Sequence, residues 1–191
     1  MINQENTLTN KNILTKSEKL IIILISLFSS FIHEIGHFIG YKLDGITVKL
    51  GFFWVEPQTG SNGFWGILGG ILIQIILILS FLLIAYVFKH KKDFWLAMCL
   101  PMILARLIPY MIFSVTSLIF NRNVFMYNDE QYIANLFNIP ISTSYIFFII
   151  IFIIFWIILR AKLNKKFFYK INYVASTCIL FLGIIATWLT N

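Results

Sequence analysis

The chain has 191 residues and a net charge of +7, and 59% of its residues are hydrophobic while only 12% are charged. This composition excludes a water-soluble globular domain, and several apolar runs approach the roughly 20 residues needed to cross a bilayer. Its Lys and Arg residues cluster between the apolar runs, so they indicate membrane orientation rather than binding to nucleic acid. Cys99 and Cys178 lie in separate runs and predict neither a disulfide nor a cysteine metal site.

The polar residues 1–19 predict a loosely ordered cytoplasmic tail, with Ser17 and Glu18 capping the first helix. The first membrane span is expected from about Leu20 to Tyr41. It contains an unusual cluster of ionisable residues, His33-Glu34-Ile35-Gly36-His37, in its second half.

On a helix His33 and His37 share one face, with roughly 6 Å between their Cβ atoms, so both imidazoles can bind one metal ion. Glu34 borders that face. This is the His-Glu-x-x-His pattern, in which two histidines bind Zn²⁺ and the glutamate is a general base. Ionisable groups cost about 2.5–3.5 kcal/mol or more each at a bilayer centre. The cluster therefore predicts a bound cation, with one Zn²⁺ per chain as the expected cofactor.

The connection 42–64 has strand periodicity, since apolar and polar residues alternate from Ile46 to Phe52. A turn is predicted over Pro57–Gly63. We expect a short strand or hairpin against the membrane surface, between the first two membrane helices.

The second span is predicted from about Trp65 to Phe88. It begins with three glycines, Gly66, Gly69 and Gly70, whose spacing permits close approach of another helix. Gln74 follows them inside the span. Its side chain either binds the backbone of a substrate or joins neighbouring helices.

The third span, from about Phe94 to Phe120, contains Arg106 between Pro101 and Pro109. An arginine inside a membrane span is a functional-site hypothesis, here through pairing with Asp129 or with a developing oxyanion. The structural alternative is that Arg106 binds carbonyl groups left free by the two prolines.

The connection 121–140 has a short helical pattern that includes Asn128 and Asp129, and two further spans follow at about 141–159 and 171–188. The predicted fold is therefore an all-α polytopic membrane protein of about five transmembrane helices with one short hairpin. Residues 20–140 are predicted to form a three-span core, and residues 141–191 two accessory helices.

Basic residues mark the tail, the turn 89–93 and the loop 160–170, which predicts a cytoplasmic N-terminus in a bacterial plasma membrane. The connections 42–64 and 121–140 then face outward. Because His33 is about 13 residues into the first span, or roughly 20 Å, the cluster is expected in the outer half of the membrane.

A zinc enzyme needs a third protein ligand and leaves the fourth position for water. The ligand position of soluble metzincins falls on Leu43, so that pattern fails. Asp129 is the preferred ligand because it lies on the expected outer side. Its alternative role is in the first turn of a helix capped by Asn128. Asp44, after a chain reversal at Gly45, is the second candidate, and Glu56 is a weaker one.

The membrane-embedded motif, the glycine-rich start of the next span and an aspartate after the third span resemble the site-2 protease family of intramembrane zinc metalloproteases. The resemblance covers about residues 20–140. The family often has Gly-Pro-x-x-Asn where this chain has Gly69-Gly70-Ile71-Leu72-Ile73-Gln74. It also has Asn-x-x-Pro followed by Asp-Gly, where this chain has Arg106-Leu107-Ile108-Pro109 without Asp-Gly.

We therefore expect a zinc endopeptidase that cleaves within or near a membrane-embedded segment, a residual signal peptide or a small peptide precursor. Glu34 is its expected catalytic base. A strand at 46–55 would bind the substrate by edge addition. The alternative is a non-enzymatic metal-binding membrane protein such as a transporter, a sensor or an immunity-type partner. The zinc transporters with His-Glu-x-Pro-His-Glu differ at Gly36 and Phe38.

Overall fold

A computed structural model describes residues 14–58, 63–120 and 129–190, so most of the predicted tail, the centre of the 57–63 turn and Asn128 lie outside the described residues. Within these described ranges, five long helices are apolar enough to cross a membrane, and a shorter one, α4, precedes the last two. The helices are α1 Lys16–Leu43, α2 Phe64–Val87, α3 Lys92–Phe120, α4 Asp129–Phe137, α5 Ile141–Lys162 and α6 Lys165–Thr190. The predicted all-α polytopic fold is thus confirmed.

Most of the helices extend past the apolar runs from which they were predicted, whereas α2 matches its predicted span to within one residue. α1 begins at Lys16, and its N-cap is Thr15 rather than Ser17. The Thr15 hydroxyl accepts a hydrogen bond from the Glu18 N–H, and the Glu18 carboxylate accepts one from the Thr15 N–H. A hydropathy pattern identifies only the part of a helix that lies in the bilayer. Lysine is a good helix former, so the helix can continue beyond its apolar part to the capping box at Thr15.

The predicted hairpin is also confirmed. Strands β1 (Val48–Leu50) and β2 (Val55–Pro57) are antiparallel, with Lys49 opposite Glu56. The hairpin does not stay at the end of α1, because Phe52 near its tip stacks on Phe31 at 4.9 Å between ring centroids. Phe31 is 12 residues before the end of α1, or about 18 Å along its axis. The hairpin therefore lies beside α1, near the level of the histidines.

α1 and α2 pack with their backbones in contact. A Cβ added to Gly36 would lie 2.3 Å from the Gly69 carbonyl oxygen, and one added to Gly40 would lie 2.0 Å from the Trp65 carbonyl oxygen. Only glycine permits this approach. The contact holds the histidine-bearing face of α1 directly against α2.

α3 is the central helix, because it packs against α1, α2, α5 and α6. At one end of the bundle the ion pair between Lys91 and Glu18 joins a short 3-10 helix, Lys89–Lys91, to the start of α1. The starts of α3 and α6 and the end of α5 lie at this end too, and we call it the basic end. The hairpin and α4 lie in the other half of the bundle, since Phe52 packs on Phe31 and Asp129 contacts His33.

Candidate metal centre

His33 and His37 lie one turn apart on α1, and both side chains are buried. Their rings are perpendicular, with centroids 4.5 Å apart, and the two Nε2 atoms approach to 2.9 Å. The i, i+4 spacing of the motif therefore directs both nitrogens to one point, as the sequence predicts.

Asp129, the first residue of α4, reaches the same point from the opposite side. One of its carboxylate oxygens lies 2.8 Å from His33 Nε2, and the other lies 3.1 Å from His37 Nε2. In a tetrahedral zinc site with bonds of about 2.0–2.1 Å, neighbouring ligand atoms are about 3.3 Å apart. The three side chains thus form a group that could hold a metal ion.

The backbone of α2 fixes which nitrogen His37 offers. Its Nδ1 lies 2.7 Å from the carbonyl oxygen of Gly66. Because a carbonyl can only accept a hydrogen bond, Nδ1 must carry the proton, and in the neutral ring Nε2 keeps its lone pair toward Asp129. Histidine ligands of metals typically have such a second hydrogen bond, which orients the ring.

The two imidazoles occupy the space in which a side chain at position 70 would lie, so the residue there must be glycine. A Cβ added there would lie 2.1 Å from His33 Cε1 and 2.4 Å from His37 Nε2. The glycine-rich start of α2, predicted only as a helix contact, therefore also accommodates the donor atoms themselves.

Asp44, the second candidate ligand, lies elsewhere. It is the C-cap of α1, and the chain reverses at Gly45, which has a φ of 73°. The Asp44 carboxylate accepts a hydrogen bond of 2.7 Å from the backbone N–H of Gly66, in the first turn of α2. A carboxylate at this position complements the free N–H groups and the dipole of the helix. Glu56 is exposed on β2 and is not part of the cluster.

Arg106 and Gln74 are brought together beside the cluster. Arg106 Nε donates a hydrogen bond of 2.9 Å to Gln74 Oε1, and its Nη2 lies 3.0 Å from Asp129 Oδ2. The guanidinium also contacts the imidazole of His33. Of the three alternatives for Arg106, which were pairing with Asp129, with an oxyanion or with free carbonyl groups, the structure shows the pairing with Asp129.

Glu130 and Tyr110 form a contact that the sequence did not predict. Both side chains are buried, and the Tyr110 hydroxyl donates a hydrogen bond to the Glu130 carboxylate. Burial raises the pKa of Glu130. Since Glu130 directly follows Asp129, this bond attaches the first turn of α4 to α3. The acidic pair Asp129-Glu130 after the third span is visible in the sequence, but nothing in the sequence indicates that Tyr110 is the partner of Glu130.

Although burial opposes it, the neighbouring His37 and His33 hold the pKa of Asp129 well below its usual range. The carboxylate is therefore ionised at neutral pH, as a metal ligand must be. Glu34 is half-buried beside His33, and among the described residues no side-chain hydrogen bond or ion pair engages its carboxylate.

Comparison of the chain with known protein families, with curated proteins and with solved structures finds no match.

Proposed function

We propose that this chain is an intramembrane zinc metalloprotease of the site-2 protease type, which hydrolyses a peptide bond in or near a membrane-embedded substrate. The observation that carries the proposal is the convergence of His33, His37 and Asp129. Glu34 follows His33 directly in the motif and is half-buried. His-Glu-x-x-His with a distant carboxylate is the ligand set of a catalytic zinc site.

His33, His37 and Asp129 would hold the ion. Zinc bound by three protein ligands supplies a Lewis acid that lowers the pKa of water to about 7 and polarises a carbonyl group. Glu34 accepts the proton of the attacking water and delivers it to the leaving amine. Arg106, held by Gln74, keeps Asp129 in place through its ion pair with the carboxylate.

The hairpin provides a route for binding the substrate. Among the described residues β1 and β2 form a sheet of only two strands, so each strand has an edge on which an extended peptide can add. Phe52 packs against Phe31, two residues before His33, which brings the hairpin to the level of the cluster. A membrane helix hides its backbone amides, so unwinding onto such an edge would expose a bond for hydrolysis.

The proposed orientation has the basic end in the cytoplasm, according to the positive-inside rule. The cluster then lies in the outer half of the membrane. This position favours a membrane-spanning segment, a residual signal peptide or a small exported peptide precursor as the substrate.

The test compares membrane peptides from cells that express the wild-type chain, Glu34→Gln or the matched control Glu18→Gln, which makes the same change at the basic end and keeps a residue suited to the capping box. The proposal predicts fragments with new termini in or next to apolar segments in the wild type and the control. Because general acid–base groups contribute about 10²–10⁴-fold in rate, Glu34→Gln should reduce these fragments at least about 100-fold while retaining its metal. Identical fragments in all three strains would support the non-enzymatic alternative, in which metal binding alone suffices.

A further inference from the structure

A groove lies over α3 at the basic end of the bundle, away from the metal cluster. α2 and α5 both pack on α3, but in the described part of the chain they do not pack on each other. α4 contacts both α2 and α5, and it closes the space between them at the end away from the basic end. Toward the basic end the space stays open as a cavity of about 400 Å³.

The groove has apolar walls and a basic rim. Leu82 and Ala85 of α2, Leu96 of α3 and Ile158 of α5 form its walls. The rim consists of Lys89, Lys92 and Lys162, all exposed, and no carboxylate lines the cavity. Among the described residues none of these three lysines is in an ion pair, whereas the neighbouring Lys91 is paired with Glu18.

This combination matches one ligand class in a bilayer. The apolar walls lie between helices that span the membrane, so an acyl chain can fill them. The lysines lie where the spans end, at the level of lipid headgroups, and lysine reaches this level with an apolar stem. Clusters of unpaired lysines beside clefts between membrane helices attract acidic headgroups.

We propose that the groove is a binding site for one anionic phospholipid. Its phosphate would lie among Lys89, Lys92 and Lys162, and one acyl chain would lie on Leu96 between α2 and α5. A zwitterionic headgroup also has a phosphate, but its own cation offsets the attraction of the lysines. The site therefore selects for net negative charge, and it does so independently of the proposed hydrolysis.

The test is native mass spectrometry of the purified full-length chain, titrated with phosphatidylglycerol or with phosphatidylcholine of the same acyl chains. The groove variant is Lys89→Gln/Lys92→Gln/Lys162→Gln. The matched control, Lys16→Gln/Lys165→Gln/Lys166→Gln, removes the same charge from exposed residues at the same end. The groove variant should bind phosphatidylglycerol at least about tenfold more weakly than the wild type, whereas the control variant should bind it with wild-type affinity. The affinity for phosphatidylcholine should be the same in all three proteins.

A steric variant distinguishes lipid binding in the groove from nonspecific attraction to surface charge. Ile158→Trp fills the cavity and leaves all three lysines in place, so it should also lose the bound phosphatidylglycerol. Equal weakening by the two lysine triples would overturn the proposal, since it would show nonspecific attraction to a basic surface. Undiminished binding in Ile158→Trp would overturn it too, even if the groove triple failed to fold.

Discussion

Asp44 and His37 bind the same residue of the neighbouring helix. The Asp44 carboxylate accepts a hydrogen bond from the backbone N–H of Gly66, and His37 Nδ1 donates one to the Gly66 carbonyl. The start of α2 is thereby attached to both the end of α1 and the candidate metal centre. The orientation of the His37 ring thus depends on where α2 begins.

Replacement of Asp44 by Ala should destabilise the protein without removing its metal. The change leaves the Gly66 N–H, in the first turn of α2, without its side-chain acceptor, and loss of such a cap costs about 1 kcal/mol. Chemical denaturation in detergent would measure this loss. Glu56→Ala, which removes an exposed carboxylate from the same connection, should leave the stability unchanged. Loss of metal in Asp44→Ala, together with retention of metal in Asp129→Ala, would contradict this assignment.

Replacement of Gly70 by Ala should weaken metal binding strongly. The added methyl group would overlap the positions of both imidazoles, which must move apart or rotate. A competition titration with a zinc chelator would report the change as a fall in affinity of at least about tenfold, typical of disturbed ligand orientation. Gly183→Ala is the control, because a Cβ there meets nothing within 4 Å. Unchanged affinity in Gly70→Ala would show that the imidazoles do not bind the metal in this arrangement.

Replacement of Tyr110 by Phe should destabilise the fold and weaken metal binding together. It leaves the buried Glu130 carboxylate without its donor, at a cost of about 1–3 kcal/mol, and it frees the first turn of α4 that carries Asp129. Tyr173→Phe, at an exposed position of α6, should change neither property. If Tyr110→Phe lowered the stability but left zinc affinity at the wild-type value, the contact would not position Asp129.

Helical periodicity was sufficient to place His33 and His37 on one face, because four-residue spacing is a local property of a helix. Asp129 is 96 residues from His33 in the sequence. Its approach to the histidines could be inferred only from charge and topology, which put both on one side of the membrane. The contact between Tyr110 and Glu130 depends on how α4 docks on α3, and no local pattern encodes that.

Two other features of the fold correspond to patterns in the sequence. Gly36 and Gly40 have the four-residue spacing of a close helix contact, which would have predicted α1 against α2. The side chain of Phe52 is apolar at a loop position, which would have argued against a hairpin lying only at the surface. The remaining contacts required the three-dimensional packing.

Metal analysis of the purified chain tests the central assignment most directly. Inductively coupled plasma mass spectrometry should find about one zinc per chain in the wild type, in Glu34→Gln and in Asp44→Ala. His37→Ala and Asp129→Ala should lose it, since each removes one of three protein ligands. Iron in place of zinc would keep the site but change its chemistry, because two histidines and one carboxylate also bind Fe(II). A folded wild-type chain without metal, or one whose metal survives Asp129→Ala but not Asp44→Ala, would contradict the account.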